Sequence, residues 1–196
     1  MSAAGESIRR DVVLRTLTLG SDVHATSIFL LARFVHVVCG VLWAGALIFI
    51  AWVLLPAIRG TGPAGGALMQ QLVRVQRLPV YLMVLAILTI LSGLSLFYLD
   101  ATAFGEAWLH TGPGRTFSAG GALAILTAIL GMAVNTPAAK KMGVLMGSIQ
   151  AAGAPPSPEQ TAEIGRLQNR LYRATQLAAV LILLAVICMG VARYVP

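Results

Sequence analysis

Charged residues are scarce in this chain of 196 residues. Only 11% of them are charged, whereas 58% are hydrophobic and the mean hydropathy is +0.84. Soluble domains carry about 25% charged residues, so the composition excludes an ordinary soluble domain. The length suggests one domain, and we expect residues 1–196 to form a single unit embedded in a membrane.

Acidic residues are especially few, because 7 Asp and Glu stand against 14 Lys and Arg and leave a formal charge of +7. In a soluble protein that excess would suggest a nucleic-acid partner. Here the basic residues flank apolar runs, and no basic patch is interleaved with aromatic residues. We therefore expect the partner to be a lipid bilayer with anionic headgroups, and we expect no nucleic acid.

Familiar catalytic motifs are also missing from the sequence. It contains no phosphate-binding loop, no Gly-x-Ser-x-Gly elbow, no His-Glu-x-x-His and no pair of carboxylates inside an apolar run. These absences argue against most hydrolytic and phosphoryl-transfer enzymes. A membrane oxidoreductase stays open, although an enzyme is not the favoured interpretation.

Cysteine is limited to Cys39 and Cys188, and both fall inside apolar runs. Such cysteines are most often small buried hydrophobic residues, so they do not report the redox compartment. The N-terminal region has charged residues but no short apolar core with a small-residue cleavage site. Since the first apolar run is too long for a signal peptide, we expect it to be a retained membrane span.

Four apolar segments approach or exceed the roughly 20 residues that a helix needs to cross the hydrocarbon core. They cover about residues 28–58, 80–99, 117–134 and 177–191. Lipid offers backbone amides no partner, so each segment must be helical, and no alternating pattern suggests a barrel. The sequence therefore predicts an all-α, polytopic membrane protein, a four-transmembrane-helix antiparallel bundle.

Two polar helical extensions are predicted on one side of this bundle, over about residues 138–149 and 158–176. Thr136-Pro137 has the form of an N-cap followed by proline at the first helical position, which predicts a helix start there. Ser157-Pro158-Glu159-Gln160 has the form of a capping box. No strong breaker follows it, so the fourth span should begin as a long helix outside the membrane.

Orientation follows from the distribution of Lys and Arg. The side with the first and third connections carries eight: Arg59, Arg74, Arg77, Lys140, Lys141, Arg166, Arg170 and Arg173. The side with both termini and the middle connection carries six: Arg9, Arg10, Arg15, Arg33, Arg115 and Arg193. The difference favours an orientation with both termini on the outer side of the membrane.

His36 is the only histidine inside a predicted span. An ionisable residue in the membrane usually faces a partner or a cavity, because contact with lipid is unfavourable. Arg33, Gly40 and Trp43 follow the same helical face. Gly40 leaves space for either a neighbouring helix or a flat macrocycle. Two simpler interpretations also stand: the histidine bonds to a neighbouring helix, and the glycine permits close packing.

Depth adds a second argument for a cofactor. In an antiparallel bundle, His36 should share one membrane face with Arg33, Arg115 and Arg193, near Tyr98 and Tyr194. Imidazole on iron with guanidiniums on the propionates suits haem b. The alternative is that Arg115 and Arg193 are interfacial anchors. A second axial ligand would be Met, Cys, a histidine of a partner, or absent.

Copper is an alternative metal at the same depth. Cys39, Cys188 and Met189 are expected near the level of His36, and imidazole, thiolate and thioether together suit copper. No metal-ligand spacing motif supports this set, and helix rotation would separate the groups.

The first span contains a histidine, six residues, a tryptophan, one residue and a glycine, namely Arg33-Phe-Val-His36-Val-Val-Cys-Gly40-Val-Leu-Trp43-Ala-Gly45. This pattern resembles the first span of small bacterial membrane proteins related to copper-resistance D-type proteins. It is also similar to HemJ-type protoporphyrinogen oxidases and to the membrane domain of bacterial urate oxidases. Further fragments that agree are Leu91-Ser92-Gly93-Leu94, Asn135-Thr-Pro137 and Met189-Gly-Val-Ala-Arg193-Tyr194.

The resemblance implies a haem b ligand at His36, the position that matches the ligating histidine of HemJ-type proteins. Those proteins also need a lysine near the start of the third span, where this chain has Arg115 as the nearest cation. That difference argues against the oxidase activity and leaves haem binding open. The copper-resistance relatives imply copper uptake instead.

Three hypotheses follow. The first is a haem-b-binding membrane protein with a redox or electron-transfer role and His36 as axial ligand. The second is a copper-handling membrane protein. The third is a cofactor-free accessory subunit of a larger membrane complex. A homodimer or other membrane subunits are compatible with each of them.

Overall fold

The computed structural model describes the backbone of residues 3–61 and 63–196 and the side chains of 26–61, 65, 66 and 68–196. The side chains of Arg9, Arg10, Arg15 and His24 therefore lie outside the described residues. The helices are α1 (Ala3–Phe49), α2 (Leu55–Gly60), α3 (Pro63–Gln70), α4 (Leu78–Phe104), α5 (Gly112–Leu130), α6 (Thr136–Ala152) and α7 (Pro158–Val191). Short 3-10 segments lie at Glu106–His110 and Ala192–Tyr194.

Three π turns connect or extend these helices. They lie at Ile50–Leu54, Gln71–Val75 and Gly131–Asn135. Through the first and third of them, α1 continues into α2 and α5 continues into α6. No strand occurs in the described residues, so the predicted all-α class is confirmed.

Four continuous helices are long and apolar enough to cross a membrane. They are Thr26–Gly60, Leu78–Phe104, Gly112–Ala152 and Pro158–Tyr194, and their most apolar windows have mean hydropathies of 2.0 to 2.5. Many large apolar side chains on these helices are exposed, Leu31 and Val41 among them. So large an apolar surface is unfavourable in water, so the surrounding medium is the lipid bilayer.

The four membrane helices form two closely packed pairs, α1 with α4 and α5 with α7. Smaller contacts join α1 to α7 and α4 to α5, so each helix has two neighbours in a ring. Within the first pair, Gly40 faces Thr89 while His36 faces Gly93. Because the numbers rise on one helix as they fall on the other, the pair is antiparallel.

Small residues make most of the core. Ala51 and Ala179 are fully buried, and Ala178 is almost so. Trp43 is the bulkiest buried residue at 4% exposed, and it packs in one cluster with Leu85 and Ile182, among others. In lipid, helix association depends on close backbone approach, which small residues permit.

Two prolines lie inside the membrane helices without ending them. Pro56 and Pro137 each follow a π turn by two residues. Proline lacks an N–H group and its ring clashes with the carbonyl four residues earlier, so the wider π turn accommodates it. The predicted helix start at Thr136-Pro137 is therefore wrong, because the helix runs continuously through it and the Thr136 hydroxyl donates to the Gly131 carbonyl at 3.2 Å.

The capping box at Ser157 is confirmed, since the Ser157 hydroxyl accepts from the Gln160 amide and the Gln160 side chain accepts from the Ser157 amide. Helix α7 then runs without a break for 34 residues. Beside it, Lys141 of α6 lies 2.6 Å from a Glu163 carboxylate oxygen, which joins the two helices outside their apolar segments.

Candidate functional site

His36 bridges α1 and α4. Its Nδ1 lies 2.8 Å from the backbone carbonyl oxygen of Thr89. A carbonyl can only accept a hydrogen bond, so Nδ1 carries the proton and donates it. In the neutral tautomer with the proton on Nδ1, Nε2 is the nitrogen whose lone pair can bind a metal.

Gly93 makes this close approach sterically feasible. A Cβ atom at that position would lie 2.7 Å from Cε1 and 2.9 Å from Nδ1 of His36. Contacts that short do not occur between real side chains, so alanine at position 93 would force the imidazole or the whole helix to move. In the sequence, Gly93 is only a small residue inside an apolar run, so its contact with His36 was not predicted.

Two hydroxyl groups near the site are satisfied within α4. Thr89 donates to the Leu85 carbonyl at 2.7 Å, and Ser92 donates to the Leu88 carbonyl at 2.5 Å. Both residues are buried. The Ser92 hydroxyl also lies 3.2 Å from the Thr89 carbonyl oxygen, so this carbonyl accepts from Ser92 as well as from His36.

Gly40 and Trp43 take packing positions next to this bridge. A Cβ on Gly40 would lie 3.5 Å from Cγ2 of Thr89, an ordinary van der Waals contact with the neighbouring helix. Trp43 belongs to the buried core cluster. The structure thus favours the packing interpretation of Gly40 over a space for a macrocycle.

The three arginines proposed for haem propionates share the His36 end of the bundle. Arg33 lies on α1 one turn before His36, Arg115 lies in the first turn of α5, and Arg193 lies in the 3-10 segment after α7. All three are exposed, and their side chains form no hydrogen bond or ion pair with the other described residues. Their guanidinium groups are therefore free either for propionates or for lipid headgroups.

The residues of the copper alternative are divided between the two helix pairs. Cys188 Cβ and Met189 Cε each lie 3.1 Å from where a Cβ on Gly120 would sit, in the α5–α7 interface. Cys39 packs against the core cluster, whereas His36 lies against α4. Across the described part of the chain, no three His, Cys, Asp or Glu side chains are close enough to hold a metal.

An aromatic cluster at the His36 end joins α4 to α5. Trp108, in the connection between them, packs edge-on to Phe97 at 5.5 Å and stacks on Phe117 at 6.4 Å between ring centroids. This cluster was not predicted from the sequence, because tryptophan is also enriched at membrane interfaces, where it need not pack against other rings.

At the opposite end, polar side chains of α7 contact the π turns Ile50–Leu54 and Gly131–Asn135. Gln176 Nε2 donates to the Ala51 carbonyl at 2.6 Å, and Asn135 Nδ2 donates to the Thr175 hydroxyl at 3.5 Å. Asn135 Oδ1 is buried without a hydrogen-bond partner. These contacts join α7 to the π turns that precede Pro56 and Pro137. They lie at the end of the bundle away from His36.

Comparisons of the chain with protein families, with curated proteins and with solved structures find no match. The candidate site therefore rests on this chain's own residues, above all on the oriented histidine between α1 and α4.

Proposed function

We propose that this chain is an integral membrane protein that binds haem b through Nε2 of His36 and serves in electron transfer. The observation that carries the proposal is the 2.8 Å hydrogen bond from His36 Nδ1 to the Thr89 carbonyl. Histidines that bind metals commonly donate their other ring N–H to a carbonyl, which fixes the tautomer and the ring orientation. The first-span resemblance supports the same residue.

His36 would be the residue of this chain that holds the iron. His36 is half-buried, so its ring is held by α4 without being enclosed by the bundle. Bound haem would supply reversible one-electron chemistry at the iron. Arg33, Arg115 and Arg193, whose guanidinium groups have no partner among the described residues, would suit its propionates. A second axial ligand would come from a partner subunit or be absent.

We further propose that the protein lies in a bacterial cytoplasmic membrane with both termini on the outer side. The excess of Lys and Arg at the end that carries α2, α3 and α6 supports this orientation. His36 would then lie near the outer membrane face, within reach of a redox partner outside the cytoplasm.

A second candidate function is a cofactor-free accessory subunit, in which His36 only ties α1 to α4. The contact between the imidazole and Gly93 favours it, because the ring is already packed and hydrogen-bonded without any ligand. No comparable observation favours copper, since its proposed thiols belong to different helix pairs.

An absorption spectrum of the detergent-purified protein, expressed with added haem precursor, separates these functions. We expect a Soret band that shifts on reduction by dithionite and a pyridine haemochrome typical of haem b. The band should disappear in His36→Ala. The matched control is His110→Ala, because His110 is an exposed histidine at the same end of the bundle.

Two outcomes would contradict the proposal. A colourless wild-type protein that is fully helical by circular dichroism would exclude haem binding and favour the accessory role. A Soret band of equal intensity in His36→Ala would show that another residue binds the iron.

A further inference from the structure

The positions of two arginines indicate how deep helix α7 lies in the membrane. Nineteen uncharged residues, 174–192, separate Arg173 from Arg193. At about 1.5 Å per residue they span roughly 28 Å, close to the hydrocarbon thickness of about 30 Å. Arg173 and Arg193 therefore lie at opposite boundaries of the hydrocarbon, and residues before Arg173 enter the headgroup layer.

A stripe of polar residues runs outward from Arg173 on one face of α7. Arg166, Asn169, Arg170 and Arg173 occupy positions i, i+3, i+4 and i+7 of the helix, and together they line an open groove of about 420 Å³. All four are exposed. Arg170 lies one turn from Arg173, within the headgroup layer, whereas Arg166 lies about 10 Å from Arg173 along the helix axis.

The outermost arginine of the stripe already has an acidic partner. Glu163 lies 2.9 Å from Arg166 and 2.6 Å from Lys141. The hydrogen bond from Lys141 holds the pKa of this carboxyl below its ordinary value, so it stays ionised at neutral pH. Arg170 and Arg173 have no acidic partner among the described residues, so their charge remains uncompensated.

Arg59 holds the side chain of Asn169 in place. The Arg59 guanidinium donates to Oδ1 of Asn169 at 3.2 Å and to the Gln168 carbonyl at 3.0 Å, and it lies 3.9 Å from the centre of the Tyr172 ring. With its oxygen engaged, the Asn169 amide keeps its Nδ2 hydrogens as free donors. Arg59 also adds positive charge beside the groove.

We infer that Asn169, Arg170 and Arg173 form a binding site for the phosphate of an anionic phospholipid. Two guanidiniums and an amide match the oxygens of a phosphodiester, and their depth matches the headgroup layer. A phosphate in solution would offer the same oxygens. The depth of Arg173 favours the lipid source, because its side chain starts at the hydrocarbon boundary.

The test uses the full chain in mixed micelles, with bound lipid counted by native mass spectrometry as phosphatidylglycerol replaces phosphatidylcholine. A basic residue near an anionic surface is worth about fivefold in affinity, so two should give roughly 30-fold preference for phosphatidylglycerol. We expect Arg170→Gln/Arg173→Gln to remove most of this preference. The control Arg74→Gln/Arg77→Gln, which changes two exposed arginines at the same end, should keep it.

Three results would overturn the inference. Equal losses in the two double variants would show a diffuse charge effect without a site. No preference in the wild-type protein would show that the stripe binds no lipid phosphate. Displacement of the lipid by millimolar inorganic phosphate would show that the site takes a soluble phosphate.

Discussion

The two helix pairs of this bundle use the same packing device with different results. In each pair a glycine on one helix receives side chains from the other: Gly93 receives His36, and Gly120 receives Cys188 and Met189. A Cβ would meet the histidine ring at 2.7 Å but the sulfur-containing side chains at 3.1 Å. The first contact also includes a directed hydrogen bond, whereas the second is only apolar packing.

This difference shows where chemistry is available. Close packing alone occurs in both pairs, as expected for helices that associate in lipid. Only the α1–α4 pair uses it to hold an ionisable ring in one orientation. The α5–α7 pair packs its half-buried thiol and thioether against a glycine, which is the common structural role of such residues.

The largest effect is expected from Gly93→Ala. The added methyl group would displace the imidazole, so both the packing and the bond to Thr89 would be lost. Overpacking costs about 1–3 kcal/mol and a hydrogen bond in the membrane averages about 0.6. We expect the free energy of unfolding to fall by about 2–4 kcal/mol, measured by denaturant titration in mixed micelles, and the Soret band to be lost.

A double variant separates the contact from general damage. In His36→Ala/Gly93→Ala the methyl group meets no ring, so the cost of the glycine substitution should fall by more than about 1 kcal/mol. Strictly additive losses in the two single variants would show that Gly93 and His36 do not interact, and the comparison between the helix pairs would fail.

A smaller effect is expected from Gly120→Ala in the second pair. Cys188 Cβ lies close to its own backbone and moves little, but the Met189 methyl group can move aside. We expect a loss of about 0.5–1.5 kcal/mol in the same unfolding titration, with the haem spectrum unchanged. Loss of the Soret band in a stable Gly120→Ala protein would instead place the cofactor between α5 and α7.

The sequence predicted the parts of this fold that depend on composition alone. Four spans follow from hydropathy, and the start of α7 follows from the capping box at Ser157. The break expected at Thr136-Pro137 was wrong because proline after threonine is compatible both with a new helix and with a π turn in an old one. The local residues do not distinguish these two outcomes, whereas packing against α7 does.

The site was predictable only on one of its two helices. His36 stood out as an ionisable residue in an apolar run, but its partners Thr89 and Gly93 depend on which helices pair and how each is rotated. Depth arguments brought Cys188 and Met189 to the level of His36. They did not reveal that these side chains belong to the other pair, because depth fixes position along the membrane normal and not around the bundle.

The smallest effect is expected from Gly40→Ala, which tests whether the first span holds space for a macrocycle. The new methyl group would lie 3.5 Å from Thr89 Cγ2, and a second glycine on α1, Gly45, has nothing within 4 Å and serves as the control. Alanine favours a helix by up to about 1 kcal/mol over glycine, so both variants should be at least as stable as the wild-type protein. With His36 still bonded to Thr89, the Soret band of Gly40→Ala should keep its intensity. If that variant stays stable but loses haem while Gly45→Ala keeps it, then Gly40 faces the porphyrin, and the α1–α4 pair must open when the cofactor binds.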